Sequence, residues 1–138
     1  MSETKRRNPV GIRRRVALAA VVLIVAAGLA VHFALPDTDV TDIAGDALYV
    51  AAVYAFVVVL APRWPPAIVG ALVLAWTVGI ELFQLTGLPA AWGSHFTPFM
   101  LVLGTVFDAR DLLVYAVAAV LVTAVDLVVA ARLRARAR

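Results

Sequence analysis

Four long apolar runs, each closed by proline, glycine or charge, dominate the chain. The first, residues 16–35, is broken only by His32 and stops at Pro36 and Asp37. The second, 43–61, is introduced by Asp39, Thr41 and Asp42, side chains that accept hydrogen bonds from the free amides of a helix start, and it ends at Pro62. Pro65 and Pro66 open the third, 66–86, which halts before Gly87 and Pro89. The fourth covers 112–131. A helix rises about 1.5 Å per residue and the hydrocarbon layer is about 30 Å thick, so roughly 20 residues cross it. Each run therefore predicts one membrane-spanning helix. The first is longer than the apolar core of a signal peptide and lacks a small-x-small cleavage site after it, so a retained helix is expected.

The four-residue connection 62–65 forces helices two and three into an antiparallel hairpin. The connection 87–111 is different, because it is long for a bundle yet too apolar to be a disordered linker. Within it, 97–107 is hydrophobic but too short to span. It predicts an interfacial or re-entrant helix, with Thr97 as its cap and Pro98 in its first turn, and it leaves Trp92 at headgroup depth.

Composition agrees with the pattern. Of 138 residues, 64% are hydrophobic and 15% charged, where a soluble domain has nearer half and a quarter. Four crossings use most of this length and leave little chain for a separate soluble domain. The absence of cysteine excludes disulfides, thiolate metal sites and a cysteine nucleophile. The expected architecture is thus an all-α membrane protein: a basic segment 1–15, a four-helix domain 16–131 and a basic tail 132–138.

Charge placement orients it. Eleven of the twelve Lys and Arg residues fall on the side that carries both termini: Lys5, Arg6, Arg7, Arg13, Arg14, Arg15, Arg63, Arg132, Arg134, Arg136 and Arg138. The positive-inside rule makes that side cytoplasmic. No aromatic residues interleave with these arginines, so membrane lipid headgroups, and not nucleic acid, are the expected partners.

Acidic residues gather at the other side. Asp37, Asp39, Asp42, Asp46, Glu81, Asp108 and Asp111 map to the outer ends of the helices, where Arg110 is the single basic residue. Asp46 lies one turn into the second helix, Glu81 about one and a half turns from the end of the third, and Asp111 at the mouth of the fourth. Helical spacing aligns Gly70, Thr77, Glu81 and Gln84 in one stripe. It does the same for Asp42, Asp46, Tyr49 and Val53, and for Asp111, Tyr115, Val122 and Asp126. A common polar interior is expected, with leucine and valine toward lipid. Ala71, Ala75 and Gly79 form a separate small-residue ridge where another helix can approach, and a homo-oligomer is compatible with it.

Two roles follow for the cluster Asp46, Glu81, Gln84, Arg110, Asp111 and Tyr115. Arg110 either neutralises the carboxylates, Asp108, Asp111, Glu81 and Asp46 among them, and pins the helix ends, or it lines with them a pocket for a lipid headgroup or other polar ligand. The alternatives are an enzyme or carrier for a lipid-linked substrate with Glu81 or Asp111 as acid/base, and proton-coupled transport along Asp111, Tyr115 and Asp126. Asp126 also suits pairing with an inner arginine. His32 suits interfacial hydrogen bonding. His95 lacks a second histidine at ligand spacing, so neither a metal nor a cofactor is expected. No nucleophile elbow or phosphate loop occurs.

Residues 45–49 (Gly-Asp-Ala-Leu-Tyr), Glu81-x-x-Gln84, Pro89 and Asp111-Leu-Leu-x-Tyr115 resemble a family of small bacterial membrane proteins catalogued as domain of unknown function 2809. That family is distantly similar to VanZ-like proteins, which carry a similar Glu-x-x-Gln but an Asn where this chain has Tyr115. The resemblance runs from Asp42 to Asp126. It implies a multi-pass protein of the bacterial inner membrane, related to the cell envelope, and points to Asp46, Glu81, Gln84 and Asp111.

Overall fold

The computed structural model describes residues 8–96, 98–104 and 106–135. Six helices form among them: α1 Pro9–Ala34, α2 Asp39–Leu60, α3 Pro66–Gln84, α4 Leu88–Gly93, α5 Pro98–Leu103 and α6 Ala109–Ala135. The chain is all-helical, and α1, α2, α3 and α6 are long and apolar enough to cross a membrane. Thr97, expected as a cap, lies outside the described residues, as do Lys5, Arg6, Arg7, Arg136 and Arg138.

Three of the four long helices, α1, α2 and α6, begin earlier than their apolar runs, for local reasons. Asn8 caps α1, its Oδ1 accepting from the backbone N–H groups of Val10 at 3.1 Å and Gly11 at 3.3 Å, with Pro9 in the first turn. The arginines Arg13 to Arg15, expected before the first helix, therefore lie inside it. Thr38 caps α2 in a capping box with Thr41, and Asp39 and Asp42 stand in its first turn, where the helix dipole favours negative charge. Asp108 Oδ1 accepts from the N–H of Arg110 at 2.8 Å and starts α6 three residues ahead of its apolar run. Good helix formers then carry α6 through Arg132 and Arg134 into the expected tail.

The long third connection contains two six-residue helices where one segment was expected. Gly87 adopts φ 71°, a left-handed turn that closes α3 and starts α4. The Phe83 and Trp92 rings, 5.6 Å apart, hold α4 against the end of α3. Neither α4 nor α5 is long enough to span.

α2 is central, packing on α1, α3 and α6, while α3 and α6 pack on each other. The core is Val50, Tyr54 and Val58 of α2, Val69 and Val73 of α3, and Tyr115, Ala118 and Ala119 of α6, with Ala17 from α1. Outward faces are aliphatic: Leu72, Leu82, Leu113, Val117 and Val120 are exposed, as a surface bathed in lipid tails requires. The close approach of α3 to α6 occurs at Gly70, where a Cβ would collide with the Thr123 hydroxyl. The ridge Ala71, Ala75 and Gly79 instead faces outward, and nothing lies within 4 Å of a Cβ built at Gly79. α6 takes the other face because Tyr115 and the chain around Asp108 offer hydrogen-bond partners to the polar stripe of α3; an alanine ridge has none to give.

Candidate functional site

Two polar clusters lie at opposite ends of the bundle. At the end joining α3 to α6, Glu81 is wholly buried, carried inward on the stripe that also buries Thr77 and Gln84. Its Oε1 accepts from the Tyr115 hydroxyl at 3.1 Å and its Oε2 from the backbone N–H of Asp108 at 3.3 Å. Glu81 thereby ties α3 to α6 and to the segment before it. The Asp46 carboxyl adjoins that of Asp111 across the α2–α6 interface and lies within electrostatic range of Glu81. Asp46, Glu81, Asp111 and Tyr115 are thus brought together.

Gln84 closes the floor. Its Nε2 donates to the carbonyl of Leu103 at 2.7 Å, a contact made possible by Gly104, whose φ of 62° and missing side chain leave room for the amide. Gln84 Oε1 and Asp111 Oδ1 are buried without a hydrogen bond, the second with only the Arg110 Nε at 3.8 Å, so the cluster holds two acceptors short of a donor beside a buried carboxylate.

Arg110 takes up the pinning role expected of it, with Asp108 and Asp111 among its partners but without Glu81 or Asp46. Its guanidinium turns to the helix ends, reaching Asp39 at 3.3 Å and Asp42, Asp108 and Asp111 at 3.8 Å. It pins the start of α2 to the start of α6 and makes no ion pair with Glu81 or Asp46. The reason is geometric: Arg110 precedes the inward-facing Asp111 by one residue, so its long side chain leaves the helix about 100° away, toward water. Of the inner carboxylates only Asp111 meets a cation; Glu81 and Asp46 are in no ion pair among the described residues.

His95 is not part of this cluster. Its Nδ1 lies 3.1 Å from Ser94 Oγ and 3.0 Å from the carbonyl of Ala91, within its own exposed turn. Among the described residues, no three His, Asp or Glu side chains converge as metal ligands, and the carboxylates here are neighbours, not a chelating set. Tyr49, on the face shared with Asp46, accepts from Trp76 Nε1 at 3.0 Å and links α2 to α3.

The second cluster surrounds Arg13, at the end carrying both described termini. Arg13 Nε donates to Asp126 Oδ1 at 3.0 Å and its Nη2 bonds Oδ2, while Nη1 donates to the carbonyls of Pro62 and Trp64, each at 2.7 Å. The Tyr54 hydroxyl donates to Asp126 Oδ2 at 2.8 Å. One side chain thus joins α1, the α2–α3 hairpin and α6. An inner arginine as partner of Asp126 was legible in the sequence; that it is Arg13, and that Tyr54 joins it, was not. Tyr54 reads in the sequence as one more aromatic in an apolar run; its hydroxyl finds Asp126 of α6 and the carbonyl of Pro66 only in the assembled bundle.

The proton route along Asp111, Tyr115 and Asp126 is not continuous here. Tyr115 turns to Glu81, Asp126 turns to Arg13, and the separation of eleven positions amounts to about 16 Å of helix beside the aliphatic core.

A family model described as a protein of unknown function (DUF2809) matches residues 35–119, more than half of the chain. The chain belongs to this family. The DUF2809 match takes in Asp46, Glu81, Gln84, Arg110, Asp111 and Tyr115, and ends short of Asp126, where the resemblance was expected to end. No curated protein and no solved structure matches the chain.

Proposed function

We propose that the protein is a binding protein of the bacterial plasma membrane and cell envelope, with both termini cytoplasmic, whose Glu81 cluster takes a polar ligand rich in hydrogen-bond donors. An amine-bearing or hydroxylated lipid headgroup fits that description. The observation carrying this reading is the unpartnered Gln84 Oε1, together with Asp111 Oδ1, which accepts no hydrogen bond and meets only the Arg110 Nε at 3.8 Å, beside the buried Glu81 and the half-buried Asp46. Among the described residues the buried side-chain atoms without a hydrogen bond are these two acceptors and the Arg110 Nε, and a buried acceptor without a donor costs about 1–3 kcal/mol. A ligand bringing N–H or O–H groups recovers that energy; a phosphate alone would not. Chemistry on the ligand is disfavoured because Glu81, the candidate acid or base, is enclosed and already holds two donors.

The test compares the full chain in bilayer discs of phosphatidylethanolamine and phosphatidylcholine. These headgroups have the same net charge and differ in N–H donors. The unfolding midpoint should be higher in phosphatidylethanolamine, and the difference should vanish in Gln84→Leu and Asp111→Leu. Equal midpoints for the wild type, or a difference that survives both substitutions, would falsify the proposal.

A further inference from the structure

A crevice of about 260 Å³ opens at the opposite end of the bundle, between α1, α2 and α6. Val16, Ala20 and Ile24 form one wall, Leu121 and Val125 the other, and Ala51 lies at the back. Arg13, Asp126 and Tyr54 stand at one extremity. The structure assigns this crevice as a site for one acyl chain of an anionic phospholipid, with the phosphate held by Arg14 and Arg132. The proposal does not rest on the Glu81 reading, whose residues lie at the other end.

Dimensions select the occupant. Arg13 to Ile24 is about 16 Å of helix, close to the depth of one leaflet's hydrocarbon, about 15 Å. The crevice volume of about 260 Å³ lies along that length, a scale that suits one acyl chain. The walls are aliphatic: valine, alanine and isoleucine along α1, leucine and valine along α6.

Charge sets the headgroup. Arg132 follows Val125 by seven residues and Val129 by three, so it continues the crevice face of α6. Arg14 stands one turn before Ala17, which also lines the crevice. Both arginines are exposed, and neither appears in an ion pair among the described residues. Arg13, by contrast, is buried and gives four of its five N–H donors to Asp126 and two carbonyls. An acyl chain seated beneath the headgroup would keep water from the Arg13–Asp126 pair.

Retention of lipid by the full chain, read by native mass spectrometry from mixed micelles, tests this. Phosphatidylglycerol and phosphatidylcholine with identical acyl chains are the probes. The wild type should retain one phosphatidylglycerol at least fivefold over phosphatidylcholine, since each basic side chain near the headgroup contributes about fivefold. Arg14→Gln with Arg132→Gln should equalise the two lipids; these positions are exposed, so the fold survives their loss. Ala20→Phe and, from the facing wall, Val125→Phe should lower retention of both lipids at an unchanged unfolding midpoint. Equal retention of the two lipids by the wild type overturns the proposal, as does full retention in the arginine double variant. A dimer that Ala20→Phe dissolves would show that a second copy covers the crevice, and it too overturns the proposal.

Discussion

Arg13→Met and Asp126→Leu, singly and together, probe what holds α1 to the bundle. In lipid no hydrophobic force draws one apolar helix to another, so association depends on close packing and interhelical polar bonds. α1 packs along α2, yet Arg13 and Ala17 are its only fully buried residues and it touches α6 sparingly. Its hold on α6 and on the α2–α3 hairpin therefore leans on one guanidinium making four hydrogen bonds. The side chains of the pair are only 8% and 11% exposed. Removing one member of a buried pair in a soluble protein costs about 3–5 kcal/mol, because the other is left charged and unpaired. Neutral polar pairs between membrane helices are weaker, about 0.6 and at most about 1.7 kcal/mol.

Arg13 is one turn into its helix, so some water reaches the stranded charge, and each single substitution should cost about 3 kcal/mol. The double substitution leaves no unpaired charge, and Tyr54 keeps the carbonyl of Pro66 at 3.2 Å as its acceptor. It should cost about 1 kcal/mol or less, as apolar replacements of buried pairs commonly do. Reversible unfolding in bicelles gives the four free energies of the cycle. Hydrogen exchange supplies an independent readout: amides of α1 should lose protection in the single variants while those of α3 hold theirs. Single costs that simply add, within about 0.5 kcal/mol, would show that the two groups do not act together and would refute the reasoning.

Two further outcomes follow from the other contacts. Tyr115→Phe removes the donor to a fully buried Glu81 oxygen and should destabilise by about 1–3 kcal/mol, whereas Tyr115→Phe combined with Glu81→Leu should recover part of that loss; unfolding in the same bicelles measures both. Gly70→Ala places a methyl against Thr123 and should cost about 1–3 kcal/mol by prising α3 from α6, with Thr123→Ala in the same chain restoring most of it. A Gly70→Ala chain as stable as the wild type would mean that the two helices do not cross so closely there.

Much of the fold is legible in the apolar runs, because a backbone in hydrocarbon must satisfy its hydrogen bonds within its own segment. Length and local chemistry then suffice: Pro62 and Pro66 bound the hairpin between α2 and α3, and the four spans need no knowledge of their neighbours. The helix starts were harder. Asn8 and Thr38 are capping residues standing several positions before the hydrophobicity begins, and a reading keyed to apolar content passes over them. α4 was missed for a related reason, since six residues make too little periodicity to register.

The site divides the same way. Helical spacing places Glu81 and Gln84 on one stripe and Asp111 and Tyr115 on another, and the chain by itself determines which residues share a face. It does not determine how each helix is rotated against the next. That rotation turns Glu81 to Tyr115 and Asp46 to Asp111, sends Arg110 outward to Asp39 and Asp42, and selects Arg13 from six basic residues near the amino terminus as the partner of Asp126. A salt bridge forms between groups within about 4 Å, and a few tens of degrees about a helix axis moves a side-chain tip farther than that. Spans follow from solvent and length, which are local; pairings follow from angles between helices, which only the assembled bundle supplies.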